Sequence, residues 1–233
     1  GETIVSGGAT VTRSGNDTNI NSSNVNNVIK WSDYSLVHGE RVVHDGGAKT
    51  NNYLNIVTGA NTSNIDGKIE GGKNVYIVNP NGVIFGKNAE VNVGHLHVST
   101  QDTSTVNTAA DMANNVSPLS ASAAGLSDVV NMGKNITANT VEVHGKNIRF
   151  LNAANVNTSN PVIMNTDTAN DGTAHIGYRG TAPAATAYTI NGASATAVDN
   201  YYQLVATTTE LQNINNNLSG NYMLENCLLY TSP

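Results

Sequence analysis

Apolar and polar residues alternate in short bursts along most of this chain. Val, Ile and Thr interleave with polar residues over Glu2–Ser6, Ala9–Arg13, Val28–Trp31, Glu40–His44, Tyr53–Val57, Ile65–Glu70, Asn74–Val78, Glu90–Val93, Leu96–Thr100, Ile136–Ala138, Val141–His144 and Asn147–Leu151. Later bursts fall at Val162–Met164, His175–Tyr178, Tyr188–Ile190 and Tyr202–Val205. A period of two over a few residues marks a strand with one buried face. Gly, Asn and Asp clusters punctuate the bursts, so the spacing predicts an all-β sandwich, barrel or β-solenoid. Thr103–Asn115 and Leu126–Met132 predict short helices or loop excursions, and 101–132 reads as an insertion between strand blocks. Thr208–Asn217 predicts a helix, with Thr207 or Thr208 as N-cap and Glu210 in the first turn. Leu211, Ile214 and Leu218 would share its face, and Gly220 would stop it.

A repeated tripeptide selects among the β architectures. Gly-Lys-Asn occurs at Gly72, Gly86, Gly133 and Gly145, followed at once by Val75, Ala89, Ile136 or Ile148. A Gly free to take positive φ, then an Asn that bonds backbone, makes a turn that feeds a strand. Recurrence predicts equivalent corners of a repeating structure, a β-solenoid in which like residues stack. Stacked rungs favour Asn ladders and Thr and Val packing, and disfavour like charges above one another.

Composition strengthens this. Charged residues are 12% of the 233, about half the usual share, while Asn numbers 37, Thr 25, Gly 22 and Ser 17. The net charge of −6 argues against a nucleic-acid partner, which needs a basic surface. No apolar run is long enough for a membrane-spanning helix. The single cysteine, Cys227, excludes an internal disulfide and a Cys-x-x-Cys metal site.

The densest stretch holds Leu54-Asn55-Ile56-Val57-Thr58-Gly59, Ile65-Asp66-Gly67-Lys68-Ile69 and Val75 to Gly86 around Asn79-Pro80-Asn81-Gly82-Val83. Val75–Val78 is too apolar for a strand with one wet face. Pro80 cannot donate to a ladder and ends it, and Asn81-Gly82 is a two-residue turn signal. Val83-Ile84-Phe85 then starts a new strand. A strand, a tight corner and a strand suit a solenoid.

These motifs, with Ile29-Lys30-Trp31 before them, resemble the amino-terminal secretion domain of two-partner-secreted exoproteins of the filamentous haemagglutinin and high-molecular-weight adhesin type. The resemblance covers residues 1–150 well and 201–226 more loosely. The family's second signature, Asn-Pro-Asn-Leu, does not occur, which places the chain nearer the adhesin-like branch. The resemblance implies a right-handed parallel β-helix with an N-terminal cap, for which Gly1–Arg13 is the candidate with Trp31 packed nearby, and with extra-helical strands or loops around 101–132. It implies a domain over 1–200 and the start of a downstream passenger at 201–226; residues 227–233, with the one Cys and an abrupt apolar patch, read by composition as an unrelated tail. The implied function is secretion targeting. A cognate outer-membrane β-barrel transporter with periplasmic domains would recognise the chain in transit, by β-augmentation for example. The domain would then nucleate β-helix folding at the surface of a diderm bacterium, with host-cell or glycan receptors left to the passenger. Leu54, Asn55, Thr58, Gly59, Asn79, Pro80, Asn81, Gly82 and Val83 are the residues expected to serve recognition or the fold.

Other chemistry is thin. His95 and His97 share a strand face and His38 and His44 flank another strand, but no third ligand has fixed spacing, so no metal is expected. Asp66 and Glu70 would share a face of one strand, as in a glycosidase acid pair, but Gly67 breaks it and Arg occurs only at 13, 41, 149 and 179. No catalytic residue and no cofactor are expected. The competing functions are a glycan-binding adhesive β-helix and, behind it, a polysaccharide-cleaving one.

Overall fold

The structure, a computed structural model, describes residues 1–151, 154–166, 175–180, 187–194 and 201–225. The chain winds as a parallel β-solenoid of about seven turns. Successive turns add strands to three sheets, the first full turn meeting the second sheet only through the Leu36–Ile65 bridge. The long sheet stacks Asn26–Trp31, Asn52–Val57, Asn74–Val78, His95–Ser99, Thr140–His144, Val162–Asn165 and Tyr188–Ile190 in parallel. The second runs from Ser63–Ile65 through Val83–Phe85, Val129–Asn131, Ile148–Phe150, Ile176–Tyr178 and Tyr201–Val205 to Tyr222–Leu224. The third runs from Asp17–Asn21 through Arg41–His44, Lys68–Glu70, Glu90–Asn92 and Asn135–Ala138 to Val156–Thr158. The second sheet continues without a break past residue 200. The Cys227 tail lies outside the described residues.

Alternation on the strands builds the core. Long-sheet register stacks Ile29, Asn55, Ile77, Val98, Val143, Met164 and Ile190 in one inward column. The third sheet adds Val42, Ile69, Val91, Ile136 and Val156. The open N-terminal end is closed by antiparallel pairing. Glu2–Ser6 lies against Asn26–Trp31, and Thr10–Ser14 against Asp17–Asn21. Arg13 forks onto the Glu2 carboxylate at 2.8 and 3.0 Å, joining the two edge strands. Trp31 packs edge-on against Tyr34 at this end.

Val75–Val78 is buried on both faces because residues 101–127 leave the solenoid and fold back over it. Val28, Leu54, Ile56, Tyr76 and Val78 form an outward apolar stripe covered by Val106, Met112 and Leu119. The excursion reaches the first full turn, where Asn26 Nδ2 donates to Asp111 at 2.8 Å and the Ala113 amide donates to Asn26 Oδ1 at 3.0 Å. From there an amide ladder crosses the stack. Asn52 donates to Asn26, Asn74 to Asn52, and His97 continues it between Asn74 and Glu142, at 2.9 to 3.1 Å.

Four expectations are corrected. Leu126–Met132 contains the strand Val129–Asn131, not a helix. Ile65–Glu70 is two strands in two sheets, with Asp66-Gly67 as the corner. The helix Thr208–Asn213 has the predicted Thr207 cap and a capping box with Glu210, but buries no residue, and Leu218 is 78% exposed. Its anchor is polar, Glu210 receiving Arg179 at 3.0 Å. Finally, the Gly-Lys-Asn corners are not equivalent. They feed all three sheets, and only Gly72 has positive φ, +85°. Their common device is an Asn bond to the adjacent turn. Asn74 donates to Asn52, Asn88 to Asp66 and Asn147 to Asp128, while Asn135 accepts from Asn155.

His44 makes the stack sensitive to acid. It is fully buried, its ring 4.8 Å from that of Tyr53, with Nδ1 3.1 Å from the Glu70 carbonyl. That contact fixes the proton on Nδ1 and leaves Nε2 without a partner. Burial pushes the imidazole down to about 4, against weaker opposition from the Glu70 carbonyl and the Asp45 carboxylate. The unfolded chain, with an ordinary histidine, therefore binds the proton first as pH falls. Stability is complete above about pH 6.5 and declines toward pH 4. A loss of about 2 kcal/mol is expected between pH 7.5 and 5. Urea midpoints at the two values check this, and His44→Gln should shrink the difference.

Candidate functional site

The strongest sequence signature falls at one corner of the solenoid, where the long sheet hands the chain to the second sheet. Successive turns place 32–35, 58–62, 79–82, 100–128 and 145–147 there, one above another. Pro80 ends the strand Asn74–Val78, and the Gly82 amide donates to the Asn79 carbonyl at 3.1 Å to close a four-residue turn. Gly82 has the positive φ, +109°, that Asn-Gly predicts, but the central pair of the turn is Pro80-Asn81, one residue before the predicted Asn81-Gly82.

Asn79 is the hub. It is wholly buried. Its Oδ1 accepts from the Asn81 backbone and side-chain amides at 2.9 and 3.0 Å. Its Nδ2 donates to the Asn61 carbonyl at 3.0 Å and to Ser63 Oγ at 2.9 Å, both one turn earlier. Its backbone amide donates to Ser99 one turn later. Asn81 Nδ2 donates to the Gly59 carbonyl at 2.8 Å, and Thr62 Oγ1 returns a bond to the Asn81 carbonyl at 2.9 Å. On the other side, Ser127 Oγ donates to the Pro80 carbonyl at 2.6 Å and the Val83 amide to the Asp128 carbonyl at 3.2 Å. The turn thus bonds both neighbours, and the returning end of the excursion rests on it.

The upstream element sits one turn earlier in the same column. The Thr58 amide and hydroxyl both donate to the Trp31 carbonyl, at 2.8 and 3.1 Å. Gly59 lies so close to the first turn that a Cβ there would stand 1.9 Å from the Ser32 carbonyl oxygen. Asn55 points into the core, in the column between Ile29 and Ile77, and is fully buried. Its Oδ1 accepts from Trp31 Nε1 at 2.9 Å and its Nδ2 donates to the Tyr76 carbonyl at 3.1 Å. So polar a core position is stable because both ends of the amide are satisfied. Leu54 is apart from these, on the outward stripe beneath the excursion.

Seven of the nine predicted residues, Thr58, Gly59 and Asn79 to Val83, therefore meet at one corner, Asn55 lies inside it and Leu54 outside. The residues that sequence reasoning did not single out are their partners: Ser32, Asn61, Thr62, Ser63, Ser99, Ser127 and Asp128. A signal existed for some of them, because Asn61 and Gly59 lie one turn, 18 and 22 residues, before Asn79 and Asn81. Among the described residues no group of three or more His, Cys, Asp or Glu could hold a metal. His97 stacks on Tyr76 at 4.0 Å and pairs with Glu142. Asp66 bonds Asn88, and Glu70 pairs with Arg41 at 3.2 Å, so the two carboxylates do not converge.

The family model described as "TPS secretion domain" matches residues 2–225. A heme/hemopexin-binding protein of Haemophilus influenzae (strain ATCC 51907 / DSM 11121 / KW20 / Rd) is 34% identical over 102 residues, 44% of this chain and 11% of that protein. A second protein of that name from Haemophilus influenzae is 35% identical over 74 residues, 32% of this chain and 8% of its own length. The chain therefore matches only about a tenth of the length of these curated relatives. The crystal structure of the HMW1 secretion domain from Haemophilus influenzae superposes with a TM-score of 0.50 at 20% identity, covering 88% of this chain and 62% of that one.

Proposed function

The chain belongs to the TPS secretion domain family, and on that premise we propose that it is the part of a large surface exoprotein that a transporter reads and around which the rest folds. Domains of this family are recognised by a cognate outer-membrane transporter, and their exoproteins leave by way of the periplasm and the outer membrane. The observation that carries the reading is the family match over residues 2–225, which spans the whole described solenoid. Family membership favours secretion over the glycan-binding and polysaccharide-cleaving alternatives.

In this reading the transporter's periplasmic domains bind the chain before it folds, and an extended segment adds to a sheet edge of the partner. The chain then stacks at the surface of a diderm bacterium turn by turn, each completed turn presenting a parallel edge to the next. Asn79 and Asn81 serve the folded corner, since both side chains are occupied by neighbouring turns once it forms. Contact with host cells or glycans belongs to the exoprotein beyond this domain.

The test is export of a reporter fused after residue 225 and co-produced with the partner transporter. Removal of residues 1–150 should abolish the secreted reporter and leave it in the periplasm. Unchanged export would sink the reading.

A further inference from the structure

The corner that holds the signature also controls a chemical reaction of its own residues. Asn-Gly occurs twice in the chain, at Asn81-Gly82 and Asn191-Gly192. We propose that Asn81 is a conformation-gated deamidation site, inert in the folded corner and reactive in the unfolded chain, whose product cannot rebuild the corner. The inference is independent of any transporter.

The reaction needs only the chain and water. The Gly82 backbone nitrogen attacks Cγ of Asn81, the new N–C bond closes a five-membered succinimide, and the side-chain nitrogen leaves as ammonia. Water then opens the ring at either carbonyl, giving aspartate or isoaspartate. The sum is one amide plus one water giving one carboxyl and one ammonia, with no change of oxidation state. A following glycine is the most permissive neighbour because no Cβ obstructs the approach.

Folding ties down both reactants. The nucleophilic Gly82 nitrogen donates to the Asn79 carbonyl at 3.1 Å, and Gly82 is buried. The electrophilic side chain is fixed by its bonds to the Gly59 carbonyl at 2.8 Å and to Asn79 Oδ1 at 3.0 Å. The Asn81 backbone is held from both sides, its amide on Asn79 Oδ1 and its carbonyl under Thr62 Oγ1. Attack requires the side chain to leave two bonds while Gly82 leaves a third. Reclosing outpaces the chemistry, so the rate in the folded protein follows the population of the opened corner. An unfolded chain has none of these restraints.

The product is incompatible with the same geometry. Aspartate would set a carboxylate oxygen against the Gly59 carbonyl and Asn79 Oδ1, two acceptors that now receive N–H bonds. Isoaspartate would add a backbone atom to a turn closed over four residues. A chain that folds promptly keeps Asn81, and one that waits unfolded loses its corner with time.

The full chain is incubated at neutral pH in buffer and in guanidinium, and residues 81 and 191 are followed by peptide mapping for the gain of about 1 Da and the isoaspartyl isomer. In guanidinium both sites should convert at similar rates, Asn191 reporting the unrestrained rate. In buffer Asn81 should convert about a hundredfold more slowly or better. After dilution from guanidinium, chains converted at residue 81 should be depleted from the refolded fraction. Equal rates at Asn81 in buffer and guanidinium would overturn the proposal, as would converted chains in undiminished proportion among refolded molecules. Asn81→Asp should lower the refolded yield or the urea midpoint, and wild-type values for both would count against it.

Discussion

Asn79→Ala is expected to cost about 3–5 kcal/mol of folding stability, the largest effect of any side-chain truncation at the corner. The alanine removes four hydrogen bonds at once, two to Asn81 and one each to Asn61 and Ser63. Ser63 is fully buried, so its hydroxyl is left without that donor and without water to replace it. A neutral bond contributes about 1 kcal/mol net, but each buried group left unpaired costs about 1–3 kcal/mol. Asn81→Ala loses chiefly the bond to the half-exposed Gly59 carbonyl and should cost less, about 1–2 kcal/mol. Urea midpoints of the purified chains rank the two. The same variants separate folding from recognition. Export that falls in the order of the midpoints assigns the residues to the fold, whereas lost export from a variant with an unchanged midpoint assigns them to the transporter.

Gly59→Ala is the second large effect, and its cause is purely steric. Gly59 has no positive φ, so alanine meets no backbone strain there. Its Cβ would stand 1.9 Å from the Ser32 carbonyl oxygen and 3.0 Å from the carbonyl carbon. Both are backbone atoms of the preceding turn, where the Ser32 amide donates to the Gly1 carbonyl at 3.0 Å, so neither can swing aside as a side chain would. The two turns must separate locally, which disturbs the Thr58 bonds to Trp31 and the Gly59 bond to Asn81 together. A loss of about 3 kcal/mol or more is expected, at the upper end for overpacking. Gly46→Ala is the control. It has φ +62° with nothing within 4 Å of the added carbon, and should cost only about 1 kcal/mol. Thermal or urea unfolding of both checks the ranking, and equal losses would mean that the turns are not in such close contact.

Most strands of four residues or more were legible, but Asp17–Asn21 was not, because Ile20 is its one aliphatic residue. Asn74–Val78 is read residue for residue. Val129–Asn131 is not, because three residues hold too little of a period-two pattern to compete with the flanking Leu126 and Met132. Ile65–Glu70 merges two strands because its corner is only Asp66-Gly67, too brief for a break in hydropathy. The corner signature was legible as a turn from Pro80 and Gly82 alone. Its wiring was not, because each Asn finds its partner one turn away, and turn length varies with insertions such as 101–127. The helix Thr208–Asn213 was legible at its cap, where the code is local, and misread at its face, where the outcome depends on what the rest of the chain supplies.

The excursion has a mechanical consequence. A plain solenoid pulled along its axis peels one turn at a time, each turn yielding without reference to those behind it. Here the segment leaving after Ser99 clasps the outer side of the earlier long-sheet strands and fastens to Asn26. Those strands cannot part in sequence while the clasp holds. The first four turns are therefore loaded as one body, and under axial pull they resist together rather than turn by turn.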